Sequence, residues 1–312
     1  GNMATGWPII GLAVCGAAVD QLDHLITPDG SGGIYVAWVD YRDRAINDGD
    51  IYLQRVLADG STAPGWPVNG LAVSALTGLQ WFPVLAPDGA GGVFVAWEDW
   101  RAGQPSRAVY LQHITSSGLI AAGWPLNGLH VAVAPGQQVF PSIVSDGSGG
   151  VFLSWIDTRN GATSVSDTYG IRVDGDGVPL PGWATGGNPI CLADGGQSAS
   201  QLALDSEGGV FVAFDDFRTA LPSNPFEEFH RNIYCTRMTG SGSIHPDWPA
   251  DGLPICTAPQ TQQALQIALG RGRQHAEQRR RQPEDQHRPA HPLVGASEVQ
   301  HEPQQAEQPG LV

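Results

Sequence analysis

Three markers recurring in fixed order predict an all-β fold, a β-propeller of four-stranded antiparallel blades that is incomplete, with four full repeats and partial ends. The first marker is Gly-Trp-Pro, at Gly6-Trp7-Pro8, Gly65-Trp66-Pro67 and Gly123-Trp124-Pro125, and in altered form at Gly182-Trp183-Ala184 and Asp247-Trp248-Pro249. These tryptophans are 59, 58, 59 and 65 residues apart. The second is Asp29-Gly30-Ser31-Gly32-Gly33, matched by turns starting at Asp88, Asp146 and Asp205. The third is Ala37-Trp38-Val39-Asp40, then Ala96-Trp97-Glu98-Asp99, Ser154-Trp155-Ile156-Asp157 and Ala213-Phe214-Asp215-Asp216.

Each repeat reads as four strands. Strand one is the apolar piece before the glycine-rich turn, as in Phe140-Pro141-Ser142-Ile143-Val144. The turn supplies residues tolerant of positive φ, which a tight hairpin requires. Strand two, as in Val93-Phe94-Val95-Ala96-Trp97, is β-branched and aromatic throughout. Strands one and two are therefore expected to be buried on both faces between stacked sheets. Strand three, as in Asp50-Ile51-Tyr52-Leu53-Gln54-Arg55-Val56, alternates apolar and polar residues and is expected to have one wet face. Strand four follows Gly-Trp-Pro, as in Gly70-Leu71-Ala72-Val73. No segment has helical periodicity of useful length. Cut at the tryptophans, the repeats fall at about 8–66, 67–124, 125–183 and 184–248, followed by the start of a fifth.

The propeller is expected to occupy residues 1–268, and the composition changes abruptly after it. Residues 269–312 hold no Phe, Tyr or Trp, eight Gln, and six of the 16 arginines. The segment is either a disordered tail or a shifted reading frame. Codons for Leu269 to Gln274 can be chosen that, read one nucleotide later, spell Ser-Asp-Gly-Ala-Gly where the fifth turn belongs.

Charge and composition exclude several function classes. Glycine (41) and proline (24) make up about a fifth of the chain, which suits a turn-rich β fold. The formal charge is −15, and ten arginines face 25 acids in residues 1–268, so a phosphate backbone is repelled and nucleic acid is not an expected partner. The same charge permits Ca²⁺, though no cofactor is expected. No stretch approaches the ~18 apolar residues of a membrane helix, and Gly1-Asn2-Met3 carry neither the basic nor the apolar run of a signal peptide.

The most regular polar feature is Asp-x-Arg at the end of strand two: Asp40 and Arg42, Asp99 and Arg101, Asp157 and Arg159, Asp216 and Arg218. It reads either as a ring of ligand-binding carboxylates or as an arginine fork tying loop to blade. Glu98 and Asp215 stand beside the repeated Asp but point to the opposite strand face, so neither adjacent pair can flank one bond. Glu227, Glu228 and His230 offer a metal-ligand set in one lengthened loop. Cys15, Cys191 and Cys256 share a position filled elsewhere by Ser74 and Ala132, the pattern of a tight slot; only Cys235 with Cys256 could pair. No catalytic residues are assigned.

The markers resemble those of bacterial secreted β-propeller repeat proteins of the pattern Asp-Gly-x-Gly-Gly, Ala-Trp-x-Asp-x-Arg, Asp-Ile-Tyr-x-Gln-Arg-Val and Gly-Trp-Pro. The resemblance implies a secreted or cell-envelope location. It is only loosely sialidase-like, because Asp146 lies nine residues before Trp155 where the sialidase Asp-box has five. The resulting expectation is a non-catalytic extracellular binding or structural module with a protein or glycan partner; the alternative is a carbohydrate-active propeller, lectin or glycoside hydrolase. Strand alternation sends the variable loops, Asp43–Gly49, Ala102–Ala108, Asn160–Thr168 and Thr219–Arg231, to one face, where a ligand is expected.

Overall fold

A computed structural model of the chain describes residues 7–8, 10–103, 106–161, 165–218 and 231–257. The chain divides into two units, Gly1–Leu269 and Gly270–Val312, and every described residue belongs to the first. The expected tail and the Glu227, Glu228 and His230 set both lie outside the described residues.

Four sheets follow one another in sequence. The first holds β1 (Gln21–Pro28), β2 (Ile34–Asp40), β3 (Asp50–Val56) and β4 (Leu71–Ser74). One turn of helix, α1 (Arg44–Asn47), sits in the loop between β2 and β3. The second holds β5 (Gln80–Pro87), β6 (Val93–Asp99), β7 (Ala108–Ile114) and β8 (Leu129–His130). The third holds β9 (Gln138–Ser145), β10 (Val151–Asp157), β11 (Asp167–Val173) and β12 (Asn188–Cys191), and the fourth β13 (Gln197–Leu204), β14 (Val210–Asp216), β15 (Asn232–Met238) and β16 (Leu253–Cys256). Every sheet is antiparallel and pairs its strands in chain order, which makes them the blades of a β-propeller. Unit 8–66 therefore carries only the first three strands of its blade, and β4 falls in the next unit.

β5 packs on β1, β9 on β5 and β13 on β9, so the first strand of each blade is innermost. Side-chain alternation explains the stacking. Tyr35, Ala37 and Val39 of β2 meet Val93, Val95 and Trp97 of β6 in one core, while Phe94 and Ala96, on the other face of β6, join Phe152 and Trp155 in the next. The Gly-Trp-Pro tryptophans pin neighbouring blades: Trp66, Trp124 and Trp183 are buried, and their Nε1–H groups donate to the carbonyls of Ser116, Gly175 and Gly240 one blade on.

Two sequence expectations need correction. Strand one is not buried throughout: β1 is largely exposed, with Leu22, Leu25 and Ile26 open to solvent. Strand three has no wet face, since Gln54 and Gln112 are fully buried. Each donates Nε2–H to a carbonyl of the Gly-Trp-Pro segment, Pro67 or Pro125, and accepts the next residue's amide, so polarity is satisfied inside the blade. The last glycine of each turn is there for space rather than for φ. A Cβ at Gly92 would lie 2.6 Å from the Ile114 carbonyl oxygen.

The turn aspartates act as local caps. Asp29 accepts the amides of Ser31 and Gly33 and the Arg55 fork. Burial alone raises its pKa, but these donors outweigh it and bring it down to about 2. Asp50 is the reverse case: burial raises it to about 6, helped by the Asp43 and Asp40 charges, and the Asn47 amide at 3.3 Å and the Arg42 charge oppose too weakly to cancel it. A lowered carboxyl stabilises the fold above its unfolded value near 4 and loses that contribution as pH falls toward 2, whereas a raised one destabilises above about 6 and is relieved as pH falls toward 4. Thermal stability is therefore expected to peak between about pH 4 and 5. Asp50→Asn, which places in blade 1 the residue blade 4 carries as Asn232, should raise stability at pH 8 by about 1–2 kcal/mol and flatten the limb between pH 4 and 7. An unchanged slope in that variant's thermal midpoint against pH would refute the assignment.

Candidate functional site

The four Asp-x-Arg motifs stay apart, one in each blade. In blade 1, Asp40 accepts Trp38 Nε1–H at 2.8 Å, the Arg42 amide at 2.9 Å and both arms of the Arg42 guanidinium. Arg42 also donates to the Asn69 carbonyl just before β4 and lies 4.0 Å over the Tyr52 ring. Burial works against the Asp40 carboxylate, but the Arg42 and Trp38 donors outweigh it and hold its pKa below the ordinary value. Asp99 with Arg101, Asp157 with Arg159 and Asp216 with Arg218 repeat the ion pair over Tyr110, Tyr169 and Tyr234, although blade 4 has Phe214 in place of the indole donor and Arg159 reaches Asp157 through Nη2 alone of its guanidinium nitrogens. The shared cysteine slot adjoins it from the preceding repeat: Arg42 Nη2 reaches Cys15 Sγ at 3.4 Å, and Arg218 Nη2 reaches Cys191 Sγ at the same distance. All four cysteines are free.

A different feature distinguishes the blades. Each innermost strand bulges near its start and carries a non-glycine residue in the left-handed region: Asp23 (φ 50°), Phe82 (49°), Phe140 (53°) and Ala199 (47°). Such a bulge re-aims a side chain, and the conformation costs on the order of 1 kcal/mol for a residue with a Cβ. Here it turns two phenyl rings outward, Phe82 being 39% and Phe140 44% exposed. Phe82 stacks on Trp81 with centroids 5.2 Å apart and tilts against Phe140 at 5.5 Å. Trp81 Nε1–H donates to Asp23 Oδ2, linking the platform to blade 1.

Beside this platform a cavity of about 430 Å³ opens on the face that carries the variable loops. Tyr41, Arg44, Asp48, Leu79, Trp81 and Trp100 line it. Tyr41 and Trp100 both follow the repeated Asp, and the loop with α1 brings Arg44 and Asp48 over the mouth. Gly78 permits the closure: at φ +98° its missing Cβ would sit 2.7 Å from the Trp100 carbonyl oxygen. Burial raises the pKa of Tyr41, and the Asp23, Asp48 and Asp20 carboxylates add to that against Arg44. The phenol therefore stays protonated, able to donate. A second cavity, about 450 Å³, lies on the opposite face among Asp29, Ser31, Arg55 and Ser116. Its charges are already spent on one another, since Arg55 bonds Asp29, Ser31 Oγ and the Ser116 carbonyl.

Sequence reasoning did not find Asp23, Tyr41, Trp81 or Trp100, and it reached Asp48 only as part of the variable loop Asp43–Gly49. The signal was present as divergence: Leu22, Trp81, Val139 and Ser198 share one position, and Asp23, Phe82, Phe140 and Ala199 the next. Glu98, which the sequence did single out, is buried beneath the platform. Among the described residues no group of three or more His, Cys, Asp or Glu is arranged to hold a metal ion, and no helix is long and apolar enough to cross a membrane.

No protein family matches the sequence, and no curated protein is similar to it. Solved structures are similar in fold. An α-L-arabinanase from Penicillium chrysogenum, complexed with arabinobiose, is 13% identical, covers 72% of this chain and 64% of its own, and has a TM-score of 0.47. An α-L-arabinofuranosidase from Fusarium graminearum is 12% identical over 76% of this chain and 68% of its own, with a TM-score of 0.46. An endo-arabinase from Bacteroides thetaiotaomicron is 14% identical over 76% and 83%, with a TM-score of 0.42. The expectation of a non-catalytic binding or structural module is corrected by these likenesses, which are to glycoside hydrolases; at this identity what they show of the chain itself is its fold.

Proposed function

We propose that this chain is a carbohydrate-active propeller that cleaves a glycosidic bond at the cavity between blades 1 and 2. The observation that carries the reading is the meeting of an aromatic wall with the non-repeated Asp48, in a cavity whose wall residue Trp81 bonds a second non-repeated carboxylate, Asp23. Trp81, Trp100 and Tyr41 offer flat apolar faces on which a sugar ring can stack, with polar edges for its hydroxyls. Glycoside hydrolysis needs two carboxyl groups, one to protonate the leaving oxygen and one to activate water or attack the sugar. Asp23, held by the Trp81 indole, and Asp48 on the loop are the two carboxyls assigned to these roles. Tyr41, kept protonated, orients a sugar hydroxyl. The acidic body of the chain favours a neutral glycan over an anionic one. Placement outside the cell or in its envelope belongs to the same proposal.

In the same reading the four Asp-x-Arg pairs maintain their blades. Every carboxylate is engaged by backbone, indole or guanidinium donors, so a ligand would have to displace an internal ion pair.

The test is turnover. Purified chain is incubated with arabinobiose, arabinan and xylan oligomers within a broader neutral glycan panel, and released reducing ends are measured. Product from at least one member is expected. A folded chain that neither cleaves nor binds any member, by calorimetry, would overturn the proposal.

A further inference from the structure

Glu98 on β6 is almost fully buried, one of the most costly places for a carboxylate. The fold does not demand an acid there, because Val39 and Ile156 fill the same position in blades 1 and 3 and those sheets form all the same. Blade 4 carries the shorter Asp215, whose nearest cation is Arg231 at 3.7 Å. In blade 2 the acid has two distinct neighbours. Its Oε1 accepts the backbone N–H of Phe140, the left-handed bulge residue of the next blade, at 2.7 Å. Its Oε2 lies 3.5 Å from Arg107 Nη1. Arg107 in turn bonds Gln137 Oε1 at 2.8 Å and places its guanidinium 5.6 Å over the Trp100 ring.

These contacts lead to both walls of the cavity. Phe140 leans on Phe82, Phe82 stacks on Trp81, and Trp81 bonds Asp23; Arg107 backs Trp100. We infer that Glu98 is a positioning residue for the sugar site, fixing the Phe140–Phe82–Trp81 platform through one oxygen and Trp100 through Arg107 with the other. The role in sugar binding rests on the glycan reading of the cavity. The ring-holding role does not. Burial, the first cause, and the limited compensation from Phe140 and Arg107 leave the pKa of Glu98 raised, so the acid is kept at a cost that local stability alone does not explain.

The experiment separates the two claims. Acrylamide quenching of tryptophan fluorescence is measured without ligand in wild type, Glu98→Val and Glu98→Gln, each also with Trp81→Phe alone, with Trp100→Phe alone and with both. Glu98→Val, which installs the residue of blade 1, should raise the quenching constant by about half, with the increase absent from the double-Phe background. Glu98→Gln retains an acceptor for the Phe140 amide but no charge for Arg107. Its increase should disappear with Trp100→Phe and persist with Trp81→Phe. Arabinobiose affinity should fall about tenfold in Glu98→Val and two- to threefold in Glu98→Gln. Wild-type quenching in both variants, whatever their thermal midpoints, would overturn the inference. Should Glu98→Val fail to fold, the Trp100-selective change in Glu98→Gln decides alone. Changed quenching with no sugar binding by wild type would leave the ring-holding role standing and remove the glycan reading.

Discussion

Asp99→Ala is expected to lower the stability of the chain by about 3–5 kcal/mol, a large part of what an ordinary domain possesses. Asp99 is buried, and its two oxygens receive Trp97 Nε1–H, the Arg101 amide, and Arg101 Nε and Nη2, all between 2.5 and 2.8 Å. Truncation removes every acceptor at once. The Trp97 indole N–H is then left inside the blade with no partner, and such a donor alone costs about 1–3 kcal/mol. Arg101 keeps the Asn127 carbonyl and the Tyr110 ring but loses its counter-charge; at 21% side-chain exposure, water recovers only part of that loss. The thermal midpoint should drop by about 10 °C. Asp99→Asn, which preserves shape and one acceptor oxygen, should lie between wild type and Asp99→Ala. A midpoint within about 2 °C of wild type for Asp99→Ala, joined to lost glycan affinity, would instead identify the motif as a binding ring.

What could be read from the sequence follows from which interactions are local. Strand two is legible because Val93-Phe94-Val95-Ala96-Trp97 has no polar position, and only a strand buried on both faces tolerates that. The turn aspartates are legible too, since Asp29 finds its amide partners within four residues. Strand three misleads because alternation records polarity, not exposure: the partner of Gln54 is the Pro67 carbonyl, 13 residues away. The site is harder still. Its bulges carry Asp, Phe, Phe and Ala where a left-handed residue announced by glycine would have been noticed. Glu98 stands out as an acid among Val and Ile, but its partner, the Phe140 amide, lies 42 residues on and in another blade. Repeats reveal the scaffold by what they share. The working surface is where they differ, and its residues become neighbours only once blades 1 and 2 are stacked.

Asp23→Asn should reduce turnover by about 10²–10⁴-fold, the range a positioned acid or base contributes. The substitution keeps the size and the acceptor oxygen that Trp81 Nε1–H uses, so the platform of Trp81 and Phe82 is expected to remain in place. Only the charge goes. Because Asp23 sits at the surface of an innermost strand rather than in a core, its stability should change little. Sugar affinity, resting on Trp81, Trp100 and Tyr41, should be retained to within a few-fold. Trp81→Ala gives the opposite division: it removes a stacking face and the indole that orients Asp23, and should weaken binding as well as turnover. Asp59→Asn, in an exposed turn where the carboxylate meets only Ser61, serves as the control with unchanged turnover. Turnover by Asp23→Asn at the wild-type rate would assign the chemistry to other carboxyls and leave Asp23 as a tether for Trp81. A loss of rate with sugar affinity intact would instead place the reacting anion at the one bulge position, of the four innermost strands, that carries a carboxylate.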